Sequence, residues 1–125
     1  MAGPLSGIKV VEMGGIGPGP VAAMMLADMG AEVVVIERRI ANANAAVSMS
    51  EASAKHTYYN RGKRSIALDL KKPEAADVVL SLLASADLFV EGFRPGVMER
   101  LGLGPEVCLA RNPRLIYGRM TGWGQ

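Results

Sequence analysis

Cysteine and histidine are almost missing from this sequence: its 125 residues include one of each, Cys108 and His56. A single cysteine excludes an internal disulfide, and such a chain is expected in a reducing compartment, the cytoplasm. Cys108 itself is expected to be a small buried apolar side chain. One histidine and one cysteine also exclude a dense His/Cys metal site, so no metal is expected. Long apolar runs are missing too. The stretch from Val21 to Ala27 is ended by Asp28, far short of the roughly 20 residues that cross a bilayer. The N-terminus MAGPLSGIKVVEM has no basic head leading into an apolar segment. Neither a membrane span nor a secretory signal is expected. No sign of charge dominates: the formal net charge is +2, which removes any general reason to expect nucleic acid or an anionic membrane as partner.

Apolar residues are plentiful, at 50% of the chain, enough for the core of one globular unit. The run Ile8 to Met13 is β-branched and ends at Gly14-Gly15, which predicts a buried strand running into a turn. Pro20 to Met29 predicts a helix of small and flexible side chains, stopped by Gly30. Glu32 to Glu37 predicts a second strand. Ile40 to Asn60 has no sustained period and reads as a long surface loop. The pattern resumes with a strand over Arg64 to Leu70, a helix over Pro73 to Ala84 and a strand over Asp87 to Val90. Short helices follow over Pro95 to Leu101 and Pro105 to Ala110, then a strand over Arg114 to Met120. Alternation of this kind predicts an α/β fold, a Rossmann-like open and mostly parallel sheet with flanking helices, whose ligands bind at the carboxyl ends of the strands. That rule selects Gly14 to Pro20, Arg38 and Arg39, Lys71 and Lys72, Gly92 to Arg94, and Gly118 to Gln125.

Gly17-Pro18-Gly19-Pro20-Val21-Ala22 fits the loose pattern G-x-G-x-x-G/A after a strand, and Glu37 stands where a ribose-binding acid belongs. A nicotinamide-dependent dehydrogenase is one reading. Against it, Pro18 and Pro20 have no N–H to give to a pyrophosphate; coenzyme A contact and a purely structural turn are the other readings. Arg38-Arg39 suits a phosphate through the guanidinium fork. Arg61-Gly62-Lys63-Arg64 and Lys71-Lys72 are further basic clusters. Each alone reads as solvated surface; together they suit the phosphates of a nucleotide-like ligand. His56, beside Thr57, Tyr58 and Tyr59, has the chemistry of a general base, but no partner acid is legible nearby and it is expected to be an ordinary loop residue.

Five segments in order resemble family III CoA-transferases and α-methylacyl-CoA racemases: Pro4 to Glu12, Gly17 to Pro20, Leu26 to Val33, Asn60 to Lys71, and Glu91 to Val97. The resemblance spans nearly the whole chain apart from the loop between about Ile40 and Tyr59. Arg119 to Gln125 is more similar to the racemases than to the transferases. Arg38-Arg39 departs from the commoner Arg-Pro or Lys-Pro at this turn.

The resemblance implies coenzyme A contacts at Arg38, at Leu68, Asp69, Leu70 and Lys71, at Gly92, Phe93 and Arg94, and at Arg100. It implies an acyl-CoA thioester as partner, with coenzyme A belonging to the substrate and no separate cofactor. It further implies that residues 1–125 form the N-terminal part of the CoA-binding α/β domain. A second domain and the catalytic segment lie outside it, the full-length protein is a homodimer, and no catalytic residue falls in this chain. Racemases of this kind take an α-proton from one face of the acyl group and return one on the other, using two tuned proton carriers. The transferases use a carboxylate nucleophile instead. The expectation is therefore the CoA-binding region of a racemase-like enzyme that epimerises 2-methylacyl-CoA, without turnover of its own. A CoA-transferase fragment, a non-catalytic CoA-binding module and an NAD(P)-dependent dehydrogenase fragment are the alternatives.

Overall fold

The computed structural model describes residues 2–38 and 58–124. Strands β1 (Lys9–Met13), β2 (Glu32–Arg38), β3 (Lys63–Leu68), β4 (Leu88–Glu91) and β5 (Ile116–Arg119) alternate with helices α1 (Pro18–Asp28), α2 (Pro73–Leu83), α3 (Val97–Arg100) and α4 (Pro105–Arg111). The strands form one sheet in the order β3-β2-β1-β4-β5, and every pair is parallel. From β1 the chain first builds outward through β2 and β3, then returns to place β4 on the other side of β1. The crevice between β1 and β4 is thus the topological switch point, where open parallel sheets bind ligands.

Two apolar layers hold the sheet. On one face Val10, Val33 and Val90 meet Ala23 and Ala27 of α1, whose small side chains let the helix lie close to the strands. On the other, Val11, Met13, Ile36 and Phe89 meet Val79 and Leu83 of α2, Met98 of α3 and Cys108 of α4. Phe89 is fully buried, and its ring meets that of Tyr117 edge to face at 5.3 Å. Cys108 lies in this layer as expected. Burial pushes its thiol up to about 11, which suits packing and not nucleophilic chemistry.

The first helix begins two residues earlier than its pattern predicts, at Pro18 and not Pro20. The first four N–H groups of a helix have no partner within it, so prolines fit there without loss. Gly17, in front of them, has φ 87°, a conformation that favours glycine. Gly14 is needed for a different reason. Its N–H donates to the Ile36 carbonyl at 2.8 Å, and a Cβ there would lie 2.7 Å from that same oxygen. The predicted strand over Arg64 to Leu70 is shifted toward its amino end, because Asp69 begins the turn into α2: Lys72 N–H donates to its carbonyl at 3.0 Å. The predicted loop from Ile40 lies largely outside the described residues, and its last three positions, Tyr58–Asn60, form a 3-10 turn.

Candidate functional site

The carboxyl edge of the sheet carries three adjoining hollows. The first, about 330 Å³, occupies the switch point between the turn after β1 (Gly15, Ile16, Pro18) and the turn after β4 (Gly92 to Pro95), with Met120 and Thr121 along one side. The second, about 230 Å³, is enclosed by Arg38 at the end of β2, Leu68 to Lys71 after β3, and Val97 and Leu101. The third, about 360 Å³, lies between Glu12, Glu37, Arg38, Tyr59 and Asn60.

Sheet register explains the second hollow. Arg38 is the register partner of Leu68, so the last residue of β2 stands beside the last residue of β3. The guanidinium of Arg38 lies over the Phe93 ring, 5.3 Å from its centre, a geometry in which the ring face attracts the cation. Phe93 also lines the first hollow, which makes the Arg38–Phe93 pair the wall between the two. The turn below is shaped by Asp69, whose side chain accepts from Lys71 N–H at 3.2 Å.

Of the residues named from the sequence, the structure brings Arg38, Leu68, Asp69, Leu70 and Lys71 around one hollow and Gly92, Phe93 and Arg94 along its neighbour. Arg100 lines neither. It ends α3 with its guanidinium turned back over Gly96, where an added Cβ would lie 3.0 Å from Nη1. Arg39 and His56 lie outside the described residues.

Two members of the basic cluster at 61–64 are paired with carboxylates of the chain itself. Arg61 and Lys63 belong to the amino end of β3. Arg61 pairs with Asp28 at 2.6 Å. Lys63 Nζ, buried beneath α1, pairs with Glu12 at 2.7 Å and donates to the Pro20 carbonyl at 3.0 Å. Burial raises the Glu12 carboxyl above its ordinary value, against the lowering pull of Lys63.

A second buried carboxylate, Glu91 at the end of β4, is 1% exposed. It accepts from Arg119 Nε at 2.8 Å and from Phe93 N–H at 2.8 Å. Arg119 reaches on to Glu99 at 2.8 Å, and this contact holds the Glu99 carboxyl below its ordinary value. Sequence reasoning passed over Glu12 and Glu91. The signal was present, since an acid within a run as apolar as VVEM or LFVE must find a partner when the strand is buried.

Among the described residues no group of His, Cys, Asp and Glu could hold a metal ion, and no helix is long and apolar enough to cross a membrane. At the start of α1, Pro18 and Pro20 leave only Gly19 and Val21 with free N–H groups among the first four helical residues, a poor cradle for a dinucleotide pyrophosphate.

A family model described as CoA-transferase family III matches residues 5–125. The α-methylacyl-CoA racemase of Mus musculus is 46% identical over 97% of this chain and 29% of its own length. That of Homo sapiens is 48% identical over the same shares. A protein of Mycobacterium tuberculosis named probable fatty acyl-CoA transferase is 40% identical over 98% of this chain and 32% of its own. Its crystal structure matches with a TM-score of 0.86 over 98% of this chain and 34% of that one. The chain thus spans about three tenths of the length of these relatives.

Proposed function

Because the chain belongs to CoA-transferase family III, we propose that it is the coenzyme-A-binding part of an α-methylacyl-CoA racemase-like enzyme, which epimerises 2-methylacyl-CoA by removing and returning the α-proton. The observation that carries this reading is the hollow formed by Arg38 and Leu68 to Lys71, whose Arg38 guanidinium lies over the Phe93 ring. It offers a guanidinium and an ammonium for phosphate and apolar side chains for a base, at the edge where parallel sheets bind ligands. The adjoining hollow, with Ile16, Pro18 and Met120 in its walls, suits the pantetheine and acyl portion. Coenzyme A enters as part of the substrate.

Greater identity to racemases than to a transferase supports the first activity over the second. A transferase remains the second reading, favoured by the family model itself. In both, residues 1–125 act as the N-terminal part of the CoA-binding domain and by themselves turn over neither reaction, since binding alone does not lower a chemical barrier. The outer side of α1 supports a further partner surface, a second copy in a homodimer of the full-length protein: Val21, Met25 and Met29 are 43%, 55% and 38% exposed. Titration calorimetry at fixed ionic strength tests the ligand. Binding of coenzyme A without NAD is expected, and binding of NAD without coenzyme A would overturn the assignment in favour of a dehydrogenase. For the activity, enzyme-dependent deuterium exchange at the α-carbon of a 2-methylacyl-CoA by the full-length protein is expected. Transfer of coenzyme A to a free acid without such exchange would favour the transferase.

A further inference from the structure

We infer that Glu91 and Arg119 are positioning residues for the coenzyme A site, setting Arg38 through the backbone and ring of Phe93; this rests on the function proposed above. Both oxygens of the Glu91 carboxylate are used. Oε1 accepts from Arg119 Nε at 2.8 Å, and Oε2 accepts from the Phe93 N–H at 2.8 Å. The carboxylate therefore fixes the first bend after β4, at the switch point. Phe93, held by its backbone, presents its ring to the Arg38 guanidinium at 5.3 Å. On the other side Arg119 is itself held by Glu99 of α3 at 2.8 Å. A chain of contacts thus runs from the surface acid Glu99 through Arg119, Glu91 and Phe93 to Arg38.

Stability alone is a weak reason for such a network. Charges taken out of water recover little net free energy from one another, and packed apolar side chains in their place are often as stable or more so. Here the loss is greater still, because Arg119 Nη2 is buried with no acceptor among the described residues. Departures of this kind from good packing are expected where geometry serves a site. What the network supplies is order: an arginine already placed over a ring gives up less side-chain freedom when a phosphate arrives.

The test is a double-mutant cycle on affinity for free coenzyme A, with thermal unfolding recorded alongside. Glu91→Gln keeps an acceptor for Phe93 N–H but loses the charge that holds Arg119. It is expected to weaken binding at least about fivefold in the wild-type background and to change nothing further in Arg38→Ala, because coupled residues depart from additivity. Glu99→Gln alters only a surface carboxylate, and should show a smaller loss that likewise vanishes in Arg38→Ala. If Glu91→Gln does not fold, the Glu99→Gln cycle decides. Unchanged affinity in these variants, or losses that add to that of Arg38→Ala, would overturn the inference while leaving the site in place. A wild-type chain that binds no coenzyme A would instead contradict the function on which it rests.

Discussion

Two sets of cations start from opposite ends of the β2–β3 pair, although the Lys63 ammonium reaches up to Glu12 near the end of β1, and their surroundings differ more than their sequences do. At the amino end of β3, Arg61 and Lys63 each meet a carboxylate, Asp28 and Glu12. At the carboxyl edge, Arg38, Lys71, Lys72 and Arg94 form no ion pair with any described residue, and three of them line hollows. A basic cluster in a sequence is thus two different things depending on strand polarity. Arg61 and Lys63 neutralise acids of their own chain; Arg38, Lys71 and Arg94 line the hollows proposed for the ligand.

The largest effect expected from breaking this contrast is on folding. Lys63→Met leaves the Glu12 carboxylate buried without its partner, and loss of one member of a buried pair costs roughly 3 kcal/mol or more. Urea unfolding should show that loss, while the affinity of the folded chain for coenzyme A stays as it was. A variant of wild-type stability would mean that Glu12 is hydrated, or takes up a proton, once Lys63 is gone.

Arg38→Ala should do the reverse. The cation makes no described ion pair, so unfolding should barely change, whereas loss of a charge-assisted contact should weaken coenzyme A by roughly 1.5 to 3 kcal/mol. Calorimetry reads this directly, and equal affinity would remove Arg38 from the site.

Arg61→Ala should have the smallest effect. Both side chains of its pair are exposed, and such pairs contribute little. The hydrogen bond from Arg61 lowers the Asp28 carboxyl below its ordinary value of 3.8. A carboxyl lowered in the folded state stabilises above its unfolded value, and that contribution is lost as the pH falls through the folded one. Any gap in urea midpoint between wild type and Arg61→Ala should therefore be small near neutral pH and narrow further as the pH falls below the ordinary carboxyl value of 3.8. A gap that widened on acidification would contradict the assignment.

The parallel sheet and the order of its elements were legible because β-branched runs and glycine turns repeat at the spacing of a strand–helix–strand unit. Arg38 and Lys71 were selected by the carboxyl-end rule, but Leu68 to Leu70 came only with the help of resemblance, since nothing local says that residues 30 apart share a register pair. Both buried ion pairs escaped the reading for the same reason. Lys63 and Glu12 are 51 positions apart, and Arg119 and Glu91 are 28 apart. Lys63 sat within a cluster that looked solvated, whereas its side chain crosses under α1 to a strand two places away. The start of α1 was missed because Pro18 was read as part of the preceding turn when it forms the first residue of the helix.

The central claim is that the carboxyl edge, and not the basic amino end of β3, receives the ligand. Hydrogen exchange of the backbone amides with and without saturating coenzyme A tests it most directly. The account predicts slowed exchange at Leu68 to Lys72 and at Gly92 to Arg94, with Arg61 to Arg64 unchanged. Slowing confined to Arg61 to Arg64, or none at the carboxyl edge when calorimetry shows the ligand bound, would contradict it.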